Sequence, residues 1–245
     1  MRTRIRGWRI TAGSLFVILI LFFAYTAVFS HADDQALQAL ISDETVTVLP
    51  TDYGLLFDGP SEDNALIFYP GGKVEETAYA PLLHRIAAGG MDVCLVKMPF
   101  RLAVFGMNRA DAVMARHSYR NWYIGGHSLG GAIAADYAAA HGDALRGVIL
   151  LAAYPTKELS DDLSLLSVYG TEDGVLRMKQ YEKGKTFWPD DSLELVIKGG
   201  NHAQFGCYGV QAGDGTASLT ANEQQAMTAS QILDFVGIEE DAAAA

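Results

Sequence analysis

Residues 122–131 read WYIGGHSLGG, in which an apolar run leads into a Gly-x-Ser-x-Gly motif centred on Ser128. The run over 122–125 predicts a buried strand, and the alanine-rich stretch 129–140 predicts a helix. A serine on such a tight turn has a strained backbone, and glycine two residues to either side lets the strand and helix pass closely. The helix N-terminus also offers free N–H groups. The pattern predicts that Ser128 is a nucleophile, and the simpler alternative is a glycine-rich structural turn.

Around this motif, segments predicted as strands alternate with segments predicted as helices. The strands are predicted over 44–49, 53–58, 65–69, 92–98, 122–125, 148–153, 164–169 and 193–198, and the helices over 79–88, 108–116, 129–140, 174–183 and 220–236. Continuous apolar strands such as GVILLAA (147–153) indicate burial on both faces. The chain is therefore predicted to be an α/β protein with an eight-stranded, mostly parallel, doubly wound sheet. No insertion is long enough for a lid domain, so we expect an open site.

A serine nucleophile needs a base to take its proton and an acid to orient that base. Among the six histidines, His202 follows the last predicted strand in GGNH (199–202), at the edge where parallel sheets form their sites. We predict that His202 is the base, the alternative being a histidine that only shapes the loop. The other five have ordinary structural explanations: His31 in a stalk, His84 and His117 in helical segments, His127 pointing away from Ser128, and His141 at a helix end.

The predicted acid is Asp173, which lies in YGTEDGV (169–175) just beyond the seventh strand. Carboxylates in loops are mostly solvated turn residues, and Glu172 and the pair Asp161 and Asp162 are competitors. The position at a strand end and the chain order Ser, Asp, His favour Asp173.

Four segments, FYPGGKV (68–74), GGHSLGG (125–131), YGTEDGV (169–175) and GGNHAQFGCYG (199–209), resemble the α/β-hydrolase superfamily. More closely, the chain is similar over about 45–237 to a small bacterial family of lidless α/β hydrolases related to the dienelactone hydrolases. The resemblance implies the α/β-hydrolase fold and a triad of Ser128, His202 and Asp173.

The resemblance also implies an oxyanion hole. One donor is the N–H of Leu129, and the other comes from the loop PGGK (70–73), either Gly72 or Lys73. Dienelactone hydrolases use a cysteine where this chain has Ser128, so their particular substrate is not implied.

The N-terminus carries an export signal. Residues 11–30 hold no charge, and at about 1.5 Å per residue they would span roughly 30 Å, the thickness of a bilayer core. The preceding Arg2, Arg4, Arg6 and Arg9 predict a cytoplasmic N-terminus and an exported remainder. The segment is predicted to be a retained transmembrane signal anchor, or alternatively a signal peptide cleaved after Ala32. The predicted organisation is 1–32 anchor or signal peptide, 33–44 stalk, 45–238 α/β-hydrolase domain and 239–245 tail.

The formal charge of the chain is −11. Four arginines and no acidic residue precede Asp33, so residues 33–245 carry a net charge of −15. Such a surface repels phosphate backbones, so we expect no nucleic-acid partner. There is no Cys-x-x-Cys and no cysteine–histidine cluster with zinc spacing, and we expect no metal or organic cofactor. Cys94 and Cys207 are two buried thiols or, alternatively, a disulfide permitted by export.

The prediction is an anchored, extracytoplasmic serine hydrolase that cleaves a carboxylic ester or similar acyl bond through an acyl-enzyme on Ser128. An open site favours small or accessible acyl groups in a small-molecule substrate. An acyltransferase would use the same triad. The alternative from another class is a non-catalytic surface binding module, since a fold alone does not prove an activity.

Overall fold

The computed structural model describes residues 16–60 and 63–238, which are organised around one eight-stranded sheet. The strands are β1 Thr47–Pro50, β2 Gly54–Asp58, β3 Asn64–Tyr69, β4 Asp92–Val96, β5 Asn121–His127, β6 Gly147–Leu151, β7 Ser164–Gly170 and β8 Ser192–Ile197. Their order in the sheet is β1-β2-β4-β3-β5-β6-β7-β8. β2 runs antiparallel to β1 and β4, and all other neighbours are parallel. The predicted eight-stranded, mostly parallel sheet is confirmed.

Helices cover both faces of the sheet. They are α1 (residues 16–27), α2 Asp34–Gln38, α3 Ala80–Ala88, α4 Arg109–Met114, α5 Leu129–His141, α6 Met178–Gly184 and α7 Ala221–Phe235. The inward faces of α3 and α7 belong to one buried apolar cluster, and those of α4 and α5 belong to a second. α7 begins at a capping box in which the Thr220 hydroxyl accepts the Glu223 N–H at 3.2 Å and the Glu223 carboxylate accepts the Thr220 N–H at 2.8 Å.

Two boundaries differ from the prediction for a local reason. β1 begins at Thr47 instead of residue 44, because the Asp43 carboxylate accepts the N–H groups of Thr45 and Val46 and holds a turn there. α6 begins at Met178 instead of residue 174. The residues before it are held by the carboxylate of Asp173, as described below. In both cases a side chain competes with the regular backbone pattern.

The transmembrane helix predicted over 11–30 is not supported. Residues 1–15 lie outside the described residues, as does the predicted tail 239–245. In the described part of the chain, no helix is both long enough and apolar enough to cross a membrane. α1 ends at residue 27, and Ser30 then forms a parallel bridge with Val74.

The carboxyl edge of the parallel strands is covered by loops. Residues 152–163 connect β6 to β7, and residues 198–220 connect β8 to α7 with one short turn at Ala203–Phe205. Within the described ranges no inserted domain lies over this edge. The ends of β5, β7 and β8 therefore meet at an accessible surface.

Candidate active site

Ser128 lies on a strained turn between β5 and α5. Its backbone has φ 52° and ψ −121°, a conformation that costs free energy for a residue with a Cβ. A Cβ on Gly126 or on Gly130 would collide with the carbonyl oxygen of Tyr69 in β3. The two flanking glycines are thus required by close packing of the turn against the sheet, as the sequence motif predicts.

His202 and Asp173 form a buried pair beside this turn. His202 Nδ1 lies 2.8 Å from Asp173 Oδ2, and the two side chains are 2% and 1% exposed. The other carboxylate oxygen of Asp173 accepts the N–H groups of Val175 and Leu176 at 2.8 and 2.7 Å. These bonds hold the carboxylate so that Oδ2 faces the imidazole. The arrangement directs the opposite ring nitrogen, Nε2, away from the acid.

That nitrogen is available for chemistry. His202 Nε2 is buried and has no hydrogen-bond partner among the described residues. His202 and Ser128 line the same pocket. The competing carboxylates lie elsewhere: Glu172 is exposed and accepts the Thr171 hydroxyl, and Asp161 and Asp162 are exposed. The structure therefore places Asp173 against His202, and His202 in the same pocket as Ser128, so the three residues that the sequence analysis selected lie together.

The loop after β3 contains one backbone N–H without an acceptor among the described residues. The Gly71 N–H donates to the Tyr79 hydroxyl at 3.1 Å, and the Lys73 N–H donates to the Arg101 carbonyl at 2.8 Å. In the described part of the chain the Gly72 N–H donates to no acceptor. A Cβ on Gly72 would lie 2.8 Å from Leu129 Cδ2, so the backbone at Gly72 packs against the Leu129 side chain. This geometry favours Gly72 over Lys73 as the second oxyanion donor.

Leu129, the other predicted donor, lies at the start of α5. It is the first residue of α5, and the first N–H groups of a helix have no partner within it. An oxygen that becomes negative between Leu129 and Gly72 would meet two N–H groups and the positive end of the helix dipole.

Tyr79 and His127 form a buried support for this loop that the sequence analysis did not identify. The Tyr79 hydroxyl lies 2.8 Å from His127 Nδ1 and accepts the Gly71 N–H. Burial, and then the neighbouring His202, lower the pKa of His127 well below its usual range, so its imidazole is neutral. Burial raises the pKa of Tyr79, so its phenol stays protonated. The His127 ring also lies beside that of His202, with 4.5 Å between the centroids, and its partner Tyr79 lies 48 residues away in sequence.

Asp214 is a second supporting residue that the sequence analysis missed. Its carboxylate accepts four backbone N–H groups, those of His202 at 3.2 Å, Ala203 at 2.8 Å, Gly174 at 3.1 Å and Gly215 at 2.9 Å. It thereby joins the loop that carries His202 to the loop that carries Asp173. The only local signal is an aspartate between two glycines, GDG at 213–215, which is also common in solvated turns.

The pocket at Ser128 is small and largely apolar. It has a volume of about 190 Å³. Ligand pockets of drug-sized molecules span about 300–1,000 Å³. It is lined by Ser128, Leu129, Ala132, Ala152, Ala153, Tyr154, Val175, Leu176, Arg177 and His202.

The described residues include no group of three His, Cys, Asp or Glu side chains that could hold a metal ion. Cys94 and Cys207 are buried free thiols.

Comparison of the chain with known proteins identifies its family. A family model described as "Alpha/beta hydrolase family" matches residues 65–226. No curated protein matches the chain.

Solved structures with the same fold include TT1662 from Thermus thermophilus, with 15% identity over 78% of this chain and 97% of that one and a TM-score of 0.56. Carboxylesterase CesB from Bacillus subtilis is 10% identical over 83% and 95% of the two chains, with a TM-score of 0.55. A membrane phospholipase A, described as a bacterial virulence factor, is 14% identical over 97% and 98%, with a TM-score of 0.56. At these identities the likeness concerns the fold.

Proposed function

Because the chain belongs to the α/β-hydrolase family, we propose that it is a serine hydrolase that cleaves a carboxylic ester or similar acyl bond. The observation that carries the proposal is the 2.8 Å contact between Asp173 and His202 beside a serine on a strained strand-to-helix turn. Activation of a serine hydroxyl requires a base nitrogen that can reach it, and His202 Nε2 is unpartnered and belongs to a residue that lines the same pocket as Ser128.

In the first half of the proposed cycle, Ser128 Oγ attacks the carbonyl carbon of the substrate while His202 Nε2 takes the hydroxyl proton. The carbonyl oxygen becomes an oxyanion and accepts the N–H groups of Leu129 and Gly72. When the tetrahedral intermediate collapses, the bond to the leaving alcohol breaks and His202 donates the proton to that alcohol. The acyl group remains on Ser128 as an ester.

In the second half, His202 takes a proton from water, and the resulting hydroxide attacks the acyl carbon. Collapse of this second intermediate releases the carboxylic acid and returns the proton to Ser128 Oγ. Asp173 orients His202 and stabilises the imidazolium that forms twice in each cycle. The cycle uses no metal or organic cofactor.

The substrate that we propose has a small or accessible acyl group. The pocket at Ser128 is about 190 Å³ and mainly apolar, and loops alone surround its mouth. Such a pocket accommodates a short acyl chain and leaves the alcohol part of the ester outside.

We also propose that the hydrolase domain lies outside the cytoplasm and that the N-terminal segment stays attached as an anchor. The support is the uncharged sequence 11–30 behind four arginines. An alkaline phosphatase reporter fused after Ile238 tests the orientation in a bacterial host. Activity of the reporter supports export, and an inactive, stably expressed fusion contradicts it.

Hydrolysis of p-nitrophenyl esters of increasing chain length tests the proposed activity. We expect turnover by the full chain, highest for short esters, and its loss in Ser128→Ala. Ser118→Ala is the matched control because Ser118 is exposed and precedes β5, whereas Ser128 follows the opposite end of that strand. Equal turnover in Ser128→Ala and the control would contradict the role of Ser128. Product analysis with added alcohols separates hydrolysis from acyl transfer.

A further inference from the structure

The segment that follows α1 is bonded to the loop that carries Gly72. Ser30 N–H donates to the Lys73 carbonyl at 2.8 Å, and the Ser30 carbonyl accepts the Glu75 N–H at 2.8 Å. These two bonds form the parallel bridge between Ser30 and Val74. The N-terminal segment therefore adds one strand-like residue immediately beside the oxyanion loop, residues 70–73.

The oxyanion loop has a conformation that needs such support. Lys73 has φ +60°, and Arg101, whose carbonyl accepts the Lys73 N–H, has φ +57° and follows Phe100 at φ +54°. A residue with a Cβ persists in this region only where surrounding contacts hold it. Lys73 is held on one side by its N–H bond to the Arg101 carbonyl and on the other by the bond from Ser30 to its own carbonyl.

Residues 29–32 also contact the side chains of Glu75 and Arg101. The Glu75 carboxylate accepts the Ala32 N–H at 3.1 Å and lies 3.2 Å from His31 Nδ1. The Arg101 guanidinium lies over the ring of Phe29, 3.4 Å from its centroid. Segment 29–32 thus contacts Glu75 and also Arg101, the residue that accepts the Lys73 N–H. Lys73 directly follows Gly72, the proposed oxyanion donor.

We propose that residues 29–32 are a positioning element of the active site that holds the Gly72 N–H in place for the oxyanion. This inference rests on the proposed function for its catalytic consequence. Removal of Ser30 leaves Ser128, His202 and Asp173 in place but frees the Lys73 carbonyl, so the loss falls on stabilisation of the oxyanion. It follows that cleavage after Ala32 would detach part of the site, and that the working enzyme keeps the segment.

Ser30→Pro in the full chain tests the proposal, because proline lacks the N–H that bonds to Lys73. Ser30→Ala, which keeps both main-chain hydrogen bonds, is the reference. We expect the amides of residues 71–75 to exchange hydrogen about tenfold faster in Ser30→Pro than in Ser30→Ala. We expect kcat to fall about 10- to 100-fold with little change in KM, since misplacement of a donor weakens transition-state binding.

Hydrogen exchange is read independently of turnover, which separates this proposal from the proposed function. Equal exchange of residues 71–75 in the two variants overturns the positioning role, whether or not the chain hydrolyses esters. Faster exchange in a chain that shows no turnover keeps the positioning role and contradicts the esterase activity. Faster exchange with an unchanged kcat overturns the link to catalysis.

If Ser30→Pro shows no cooperative unfolding transition, Glu75→Ala decides the question. It removes the carboxylate that accepts the Ala32 N–H and contacts His31, and Glu44→Ala, at an exposed position, is its control. A lower kcat and faster exchange over 71–75 in Glu75→Ala alone support the proposal. The same values in both variants overturn it.

Discussion

Single polar atoms hold the loops of this site in place. The Tyr79 hydroxyl connects the Gly71 N–H to His127, and the Asp214 carboxylate connects the Asp173 loop to the His202 loop. The reacting residues could be predicted because each lies in a recognisable local pattern at a strand end. The supporting residues could not, because they act through contacts between distant segments whose geometry depends on the complete fold.

The role of Asp173 predicts a large effect from a small change. Asp173→Asn keeps the size of the side chain but removes the charge that orients His202 and stabilises its protonated form. We expect kcat/KM for a short ester to fall about 10⁴-fold with little change in the unfolding midpoint. Glu172→Gln alters the exposed neighbouring carboxylate and serves as the control. If the two variants lose activity equally, Asp173 is not the orienting acid.

The neutral state of His127 predicts an acid-sensitive stability. The folded pKa of His127 lies well below its usual range, whereas the unfolded imidazole titrates near about 6.5. Below that pH the unfolded chain binds the additional proton, so this contribution to stability is lost as pH falls.

Urea unfolding at pH 7.5 and pH 5 measures this contribution. His127→Gln retains an acceptor for the Tyr79 hydroxyl but cannot be protonated. We expect the wild-type chain to lose more unfolding free energy than the variant between the two pH values, by at most about 2 kcal/mol. The same loss in both proteins would contradict a neutral, buried His127.

At the scale of elements, the turn between β5 and α5 couples packing to chemistry. α5 begins against β3 because Gly126 and Gly130 leave no side chain between them and the Tyr69 carbonyl. The strained φ of Ser128 is maintained by this packing. The elements with a continuous apolar pattern, such as β5 and β6, were predicted within a few residues. β1 and α6 were displaced by the carboxylates of Asp43 and Asp173, which the periodicity of the sequence does not reveal.

A Gly130→Ala substitution tests this coupling. Its methyl group would collide with the carbonyl oxygens of Tyr69 and Pro70, so we expect a loss of about 1–3 kcal/mol of unfolding free energy together with reduced turnover. Gly142→Ala is the matched control at the other end of α5, where the nearest atoms lie 3.5 Å from the added methyl. Thermal unfolding of both variants measures the difference. Equal stability would show that the turn can relax.

At the scale of the whole molecule, the parallel sheet brings the ends of β3, β5, β7 and β8 to one edge, and the site is assembled there from four loops. The order of strands follows from buried apolar segments and helical connections, so the fold class could be predicted. The contact of the N-terminal segment with the oxyanion loop could not, because Ser30 and Val74 share no sequence pattern. The N-terminus was interpreted only as an export signal, whereas its last residues adjoin the site.

The most direct test of the account is to trap the acyl group. The full chain is mixed with a p-nitrophenyl ester, quenched in acid during turnover and digested, and the peptide containing Ser128 is measured by mass spectrometry. We predict an added acyl mass on the peptide containing Ser128, and its absence in Ser128→Ala. Any acyl group that forms in His202→Ala persists longer, since His202 also activates the water that removes it. Steady turnover without an acyl mass on Ser128, retained in Ser128→Ala, would contradict the central claim.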